Sequence, residues 1–201
     1  MNTLDRRSFI KGTAAVIPAT MAISMLGTRF AFAQPSDFKN PVEVLNYALT
    51  LEYLEAAFYN QGNSMNILTD FEAGALKTVE ADEEAHVKAL TDTIKQLGGK
   101  PVKAPKVDFG GAFKDRKSYL TLSHTFENTG VQAYLGAAPA LFQEKELLVA
   151  AAGIFGVEAR HAAVVGELLG LEPEGGVFMG ATETPKPKDE VLKAVSPFVK
   201  G

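Results

Sequence analysis

Between residues 40 and 170 apolar positions recur at alternating steps of three and four, the period of helices that bury one stripe. End signals divide this stretch into four. The first helix opens at Asn40-Pro41, an N-cap followed by proline at the first helical position, and runs to about Gly62. The second opens on the capping box Thr69-Asp70-Phe71-Glu72 and stops at Gly98-Gly99. The third begins near Asp115 and reaches about Pro139, and the fourth runs from near Gln143 to Gly170. The tail from Glu172 to Asp189 reads as loop, after which Val191, Leu192, Val195 and Phe198 predict a short amphipathic helix. No segment alternates with period two. An all-α chain is expected: two antiparallel hairpins joined by a long crossover over residues 99–115, closed into a four-helix bundle.

The inward stripes carry charge where apolar residues belong. They read Leu45, Leu49, Glu52, Ala56, Tyr59 in helix 1 and Leu76, Val79, Glu83, His86, Leu90 in helix 2. Helix 3 gives Leu120, His124, Glu127, Val131, Tyr134, and helix 4 gives Ala151, Ile154, Glu158, His161, Val165, Leu168. A bare carboxylate in a bundle core costs several kcal/mol unless paired or bound to a cation, so a positive charge is expected among these four.

The polar centre is also repeated. Glu52 to Glu83 and Glu127 to Glu158 are both 31 residues, each lone glutamate stands seven before a tyrosine (Tyr59, Tyr134), and Glu83-x-x-His86 matches Glu158-x-x-His161. Each element of the first half recurs 75 residues later, the signature of a duplicated helix hairpin. Glutamate and histidine at i and i+3 share a face. Two such pairs and two single glutamates give four carboxylates and two imidazoles, a set that suits two iron or manganese ions better than zinc. Carboxylate-bridged bundles use this arrangement, with Glu83 and Glu158 as bridges, His86 and His161 each capping one metal, and Glu52 and Glu127 as terminal ligands.

These residues also carry a resemblance. Leu51-Glu52-Tyr53-Leu54-Glu55-Ala56-Ala57-Phe58-Tyr59, Glu83-Glu84-Ala85-His86, Phe126-Glu127-Asn128-Thr129-Gly130-Val131-Gln132-Ala133-Tyr134 and Glu158-Ala159-Arg160-His161 resemble the ferritin-like superfamily, and among it bacterial proteins related to plant desiccation-associated proteins. The resemblance covers about residues 38–170. It implies a ferritin-like four-helix bundle. Its activities range over ferroxidase, peroxidase and catalase chemistry with dioxygen or peroxide, iron storage, and stress protection without turnover. Glu55 lies off the helix 1 stripe and is expected to be dispensable. Tyr59 and Tyr134 are expected as core aromatics with hydroxyls near the site, and His124 as an inward-facing neighbour of the site rather than a seventh ligand. Gly130, Gly153, Gly156 and Gly166 are expected to let helices approach closely.

Composition narrows the setting. The 201 residues include no cysteine, which excludes thiolate and disulfide chemistry, and only three histidines. No basic cluster recommends nucleic acid as a partner. Residues 1–33 resemble a twin-arginine export signal: Arg6-Arg7, an apolar stretch from Thr13 to Leu26 too short to span a bilayer, and Ala31-Phe32-Ala33 before the expected cut. That segment holds Arg6, Arg7, Lys11 and Arg29 against Asp5, so its removal takes the net charge from −4 to −7. The expected product is an acidic periplasmic or otherwise exported protein, off the membrane and open to homo-oligomer formation, with a bundle over 34–171 and a tail over 172–201.

Overall fold

The computed structural model of the chain describes residues 37–200; the expected signal segment and its cleavage site lie outside them. Helix α1 spans Pro41–Asn63, α2 Asp70–Gln96, α3 Arg116–Ala137 and α4 Lys145–Leu169, with a short α5 at Lys188–Val195. The starts follow their sequence signals. The Asn40 side chain accepts from the Glu43 amide at 3.0 Å, Thr69 and Glu72 form a reciprocal capping box, and Asp115 accepts from the Ser118 amide at 2.7 Å. Gly170, at φ +69°, closes α4 in the left-handed conformation. Each hairpin packs closely within itself, α1 along α2 and α3 along α4. Between hairpins the contact runs mainly through α1 and α3, whereas α2 and α4 touch little. This is the ferritin-like arrangement.

The crossover and the tail are fastened to the bundle rather than loose. Lys106–Val107 (β1) pairs antiparallel with Val199–Lys200 (β2), a two-strand element absent from the sequence expectation because two residues carry no period. Beside it Phe109 is buried against Phe58, Phe126 and Phe198. Helix α5 buries Val191 and Val195; Leu192, expected on the same face, points outward. Arg116 joins three element ends. Its Nε donates to Glu72 Oε1 at 2.7 Å and its guanidinium donates to the Leu168 carbonyl at 2.6 Å. The Arg116 guanidinium holds the Glu72 carboxyl down at about 2.

Helix α4 is long and apolar enough to cross a membrane by composition alone, and Val149 on its outer side is 72% exposed. Its glycines behave unequally. Open space lies above Gly153 and Gly156, so neither permits a close helix approach within this chain, while Gly166 lets Val177 and Gly176 of the tail pack against it.

The tail's hold on α3 depends on Gly136. The Lys186 amide donates to the Gln132 carbonyl at 3.0 Å, and a Cβ at Gly136 would lie 2.0 Å from the Lys186 carbonyl oxygen. Gly136→Ala is therefore expected to lower stability by about 1–3 kcal/mol, several degrees in midpoint, despite the better helix propensity of alanine. Gly74→Ala, where nothing lies within 4 Å, should instead gain up to roughly 1 kcal/mol. Thermal denaturation of the two variants checks the contrast.

Candidate metal centre

Midway along the bundle the four long helices each contribute to one polar centre. Glu52 comes from α1, Glu83 and His86 from α2, Glu127 from α3, Glu158 and His161 from α4. The four glutamates have no accessible surface, and the histidines retain 8% and 6%. Their donor atoms converge in two groups, each within 4.8 Å: Glu52, Glu83, His86 and Glu158, and Glu83, Glu127, Glu158 and His161. Glu83 and Glu158 belong to both groups. Each remaining pair, Glu52 with His86 and Glu127 with His161, belongs to one.

The contacts inside these groups are poor hydrogen bonds and a good donor shell. His86 Nδ1 stands 3.2 Å from oxygens of Glu52, Glu83 and Glu158 at once, more acceptors than one ring nitrogen can serve. His161 Nδ1 is 2.9 Å from Glu83 Oε1, yet the alignment leaves both atoms without a hydrogen bond. Glu127 Oε2 and both oxygens of Glu158 are equally unpartnered. Buried polar atoms left unpaired cost about 1–3 kcal/mol each. Among the described residues no lysine or arginine forms an ion pair with any of these glutamates. Carboxylate oxygens and imidazole nitrogens without sulfur fit iron or manganese, and the two groups fit two ions.

A second layer crosses between the halves. The Tyr59 hydroxyl, from the first hairpin, donates to Glu127 of the second, and the Tyr134 hydroxyl of the second donates to Glu52 of the first. Because Tyr59 spends its only proton on Glu127, Ser123 Oγ is the donor in its contact with Tyr59. Asp82 Oδ2 stands 3.2 Å from His161 Nε2, where it can fix the tautomer that leaves Nδ1 facing the centre. The sequence did not flag Ser123, nor Asp82, which reads as part of a solvated acidic run and reaches a histidine on another helix. His124 proves different from expectation. It is half-buried, its Nε2 meets the Gly176 carbonyl at 3.1 Å, and it serves the tail rather than the centre; Ser123, one residue earlier, holds the inward position.

Glu55 requires the larger correction. It is 3% exposed, with Oε2 unpartnered, so it is neither solvated nor remote. Helix α1 is covered by α2 on one side and α3 on another, and its buried arc is wider than one stripe: Leu51, Leu54, Glu55 and Phe58 are all inside, while Ala56 on the expected stripe is only half-buried. The room for this fifth carboxylate comes from Gly130, where a Cβ would lie 3.3 Å from Glu55 Oε1 and 2.9 Å from Glu158 Oε2. Gly130 thus makes space for side chains, not for a neighbouring helix. One sequence signal was available: Glu55 and Gly130 are partners at the repeat of 75.

Burial and mutual repulsion raise these acids. Desolvation pushes Glu52 up to about 7, raises Glu127, and lifts Glu55 and Glu158 well above the usual carboxylate range, the last two with added repulsion from neighbouring glutamates. Burial alone would lower the histidines, but the surrounding carboxylates outweigh it and hold His86 up to about 12 and His161 to about 11. Both kinds of shift have the same consequence for metal-free protein. An acid raised on folding loses its stabilising contribution as pH climbs from its unfolded value, near 4.5, through its folded one, and a raised histidine loses its contribution from about 6.5 upward. Metal-free protein is therefore expected to melt roughly 5–10 °C higher near pH 5 than near pH 8. Added metal should stabilise more near pH 8, because protons compete for the ligands. Calorimetry at the two pH values, with and without metal, measures both signs.

Residues 40–171 match the ferritin-like domain family. A solved structure with similar architecture is that of a ferritin-like, diiron-carboxylate protein from Bacillus anthracis strain Ames, at 23% identity and a TM-score of 0.57, the alignment covering 64% of this chain and 94% of that one. At that identity the likeness speaks for the fold. No curated protein matches the sequence. With a matched region spanning all four long helices and every ligand candidate, the chain belongs to the ferritin-like domain family.

Proposed function

We propose that this is an exported di-metal carboxylate protein that holds two iron or manganese ions and uses them in redox chemistry with dioxygen or peroxide, in defence against stress. One observation carries the reading: buried glutamate oxygens, several of them unpartnered, and imidazole nitrogens converge in two groups that share Glu83 and Glu158, and no lysine or arginine among the described residues pairs with them. Bound there, the ions would supply electron transfer and Lewis-acid polarisation of an oxygen species.

The protein's own groups set the conditions for that chemistry. Burial raises the Tyr59 and Tyr134 hydroxyls far above their ordinary values, so both remain protonated donors and hold Glu127 and Glu52 as oriented acceptors. The glutamates are sealed by apolar layers that include Leu49, Leu76, Leu120 and Val165. Exposure among the six ligands is confined to His86 and His161, whose ring centroids are 6.3 Å apart on the side where α2 and α4 touch little. A small oxidant has its shortest approach there. Bulky substrates do not, and ferrous iron or the oxidant itself fits this seam best.

Elemental analysis after loading with iron or manganese should find close to two ions per chain. Glu158→Ala, which removes a donor common to both groups, should lose both; an unloaded wild type would end the di-metal reading. Loaded protein should consume dioxygen or peroxide well above the Glu158→Ala background. Stoichiometric metal without turnover would instead leave a metal-stabilised stress protein. For export, replacing Arg6 and Arg7 by lysine should leave uncut precursor in the cytoplasm, and unimpaired export of that variant would remove the twin-arginine assignment.

A further inference from the structure

One layer along the bundle from the metal centre, a cavity of about 60 Å³ lies between the four long helices. Its wall includes Ala48 of α1, Leu90 of α2 and Ile154 of α4, each one helical turn from a ligand candidate: Glu52, His86 and Glu158 respectively. Tyr134 completes the wall from α3, and its hydroxyl donates to Glu52. The repeat explains why the cavity lies on this side. At the offset of 75 residues, Ala133, Val44 and Leu51 of its wall correspond to Phe58, Tyr119 and Phe126, three buried rings that pack together in the twin layer. Ala151 and Ala89 of the wall correspond to the larger Leu76 and Val164. Small side chains leave room here where large ones fill the other half.

We infer that this cavity takes up dioxygen beside Glu52, in preference to peroxide. Size sets the first limit. About 60 Å³ holds a diatomic gas, and it is well below the roughly 150 Å³ of an apolar cavity that accepts benzene. Polarity sets the second. Three side-chain hydroxyls border the cavity, from Tyr47, Thr93 and Tyr134. Tyr134 gives its proton to Glu52 and Thr93 gives its own to the Ala89 carbonyl, so only Tyr47, whose hydroxyl has no partner, has a hydrogen to spare. Water and hydrogen peroxide each bring two hydrogens that need acceptors, and a wall made chiefly of alanine, leucine, isoleucine and valine side chains serves them poorly. Dioxygen needs no such partner and gains by leaving water. Entry is provided for. Ala89 on α2 and Ala150 on α4 are the exposed part of the wall, which sets the cavity's mouth on the seam where those helices touch little.

Use of the gas by the centre rests on the redox reading proposed above, and the test separates the two. Crystals of the purified protein, with its metals in place, are pressurised with xenon, an apolar stand-in for dioxygen. Xenon should occupy the cavity between Leu90, Tyr134 and Ile154 in the wild type. Ala151→Leu, which installs the residue of the twin position, should expel it. Ala89→Val does the same at the mouth and serves if Ala151→Leu does not fold; unchanged helix content by circular dichroism qualifies each variant. Xenon found only elsewhere, or undiminished in the folded variants, would overturn the inference. The rate of loaded protein is then followed against dioxygen and, separately, against hydrogen peroxide. Ala151→Leu should raise the dioxygen concentration at half-maximal rate about tenfold and leave the peroxide dependence within about twofold. Equal changes for the two oxidants, no change for dioxygen, or a wild type active with peroxide alone would overturn the inference and leave the redox reading standing. Loaded protein that consumes neither oxidant would overturn the redox reading, while xenon in the cavity would still support an apolar gas site there.

Discussion

The arrangement of this bundle turns on repulsion among five carboxylates placed where water cannot reach them. Glu52, Glu55, Glu83, Glu127 and Glu158 lie in the layer that a four-helix bundle ordinarily fills with leucine. In a low-dielectric interior such charges cost several kcal/mol apiece unless something positive is shared among them. Two imidazoles can offset only part of the charge these five groups would carry when ionised, and no lysine or arginine among the described residues pairs with them. Apolar layers above and below must therefore hold closed a centre that, without cations, works against the fold.

That constraint explains how the remaining parts are distributed. The helices that approach most closely between hairpins are α1 and α3, which carry the terminal glutamates and the two tyrosines that cross to hold them. The helices that carry His86 and His161, α2 and α4, touch little, and among the six candidate residues only these two histidines retain exposed surface. Close packing on one side fixes the glutamates and tyrosines, while the side of the histidines is packed less closely. The crossover and the tail reinforce the rigid side, where Phe109 and Phe198 stack into the aromatic cluster around Phe58 and Phe126.

Much of this was legible in the sequence because buried charge and helix period reinforce each other. A carboxylate inside an apolar stripe is conspicuous, and the same carboxylate repeated at a fixed offset is more so; Glu52, Glu83, Glu127 and Glu158 were found on that basis, with both histidines. The failures share a cause. A single stripe describes a helix covered on one side, but α1 is covered on two, so Glu55 was read as outside although it is buried. On α3 the reverse occurred: the stripe took His124 inward where Ser123 fills the position. Asp82 reaches His161 from another helix, and no spacing within one chain segment encodes a contact of that kind.

Duplication gives a symmetric site without further specification, because one set of ligand positions is written twice. Asymmetry has to be added residue by residue, and it can be located by comparing the halves at their common offset. Tyr59 and Tyr134 are equivalent, yet Tyr59 has Ser123 behind it where the matching position beside Tyr134 is Ala48. Glu55 faces Gly130, and Asp82 corresponds to Val157. Ser123 and Asp82 place polar groups behind Tyr59 and His161, where the other half has alanine and valine at the equivalent positions. Ser123 and Asp82 both touch side chains of the centre or of its tyrosines, so duplicated positions acquire different surroundings with no change in the repeated set itself.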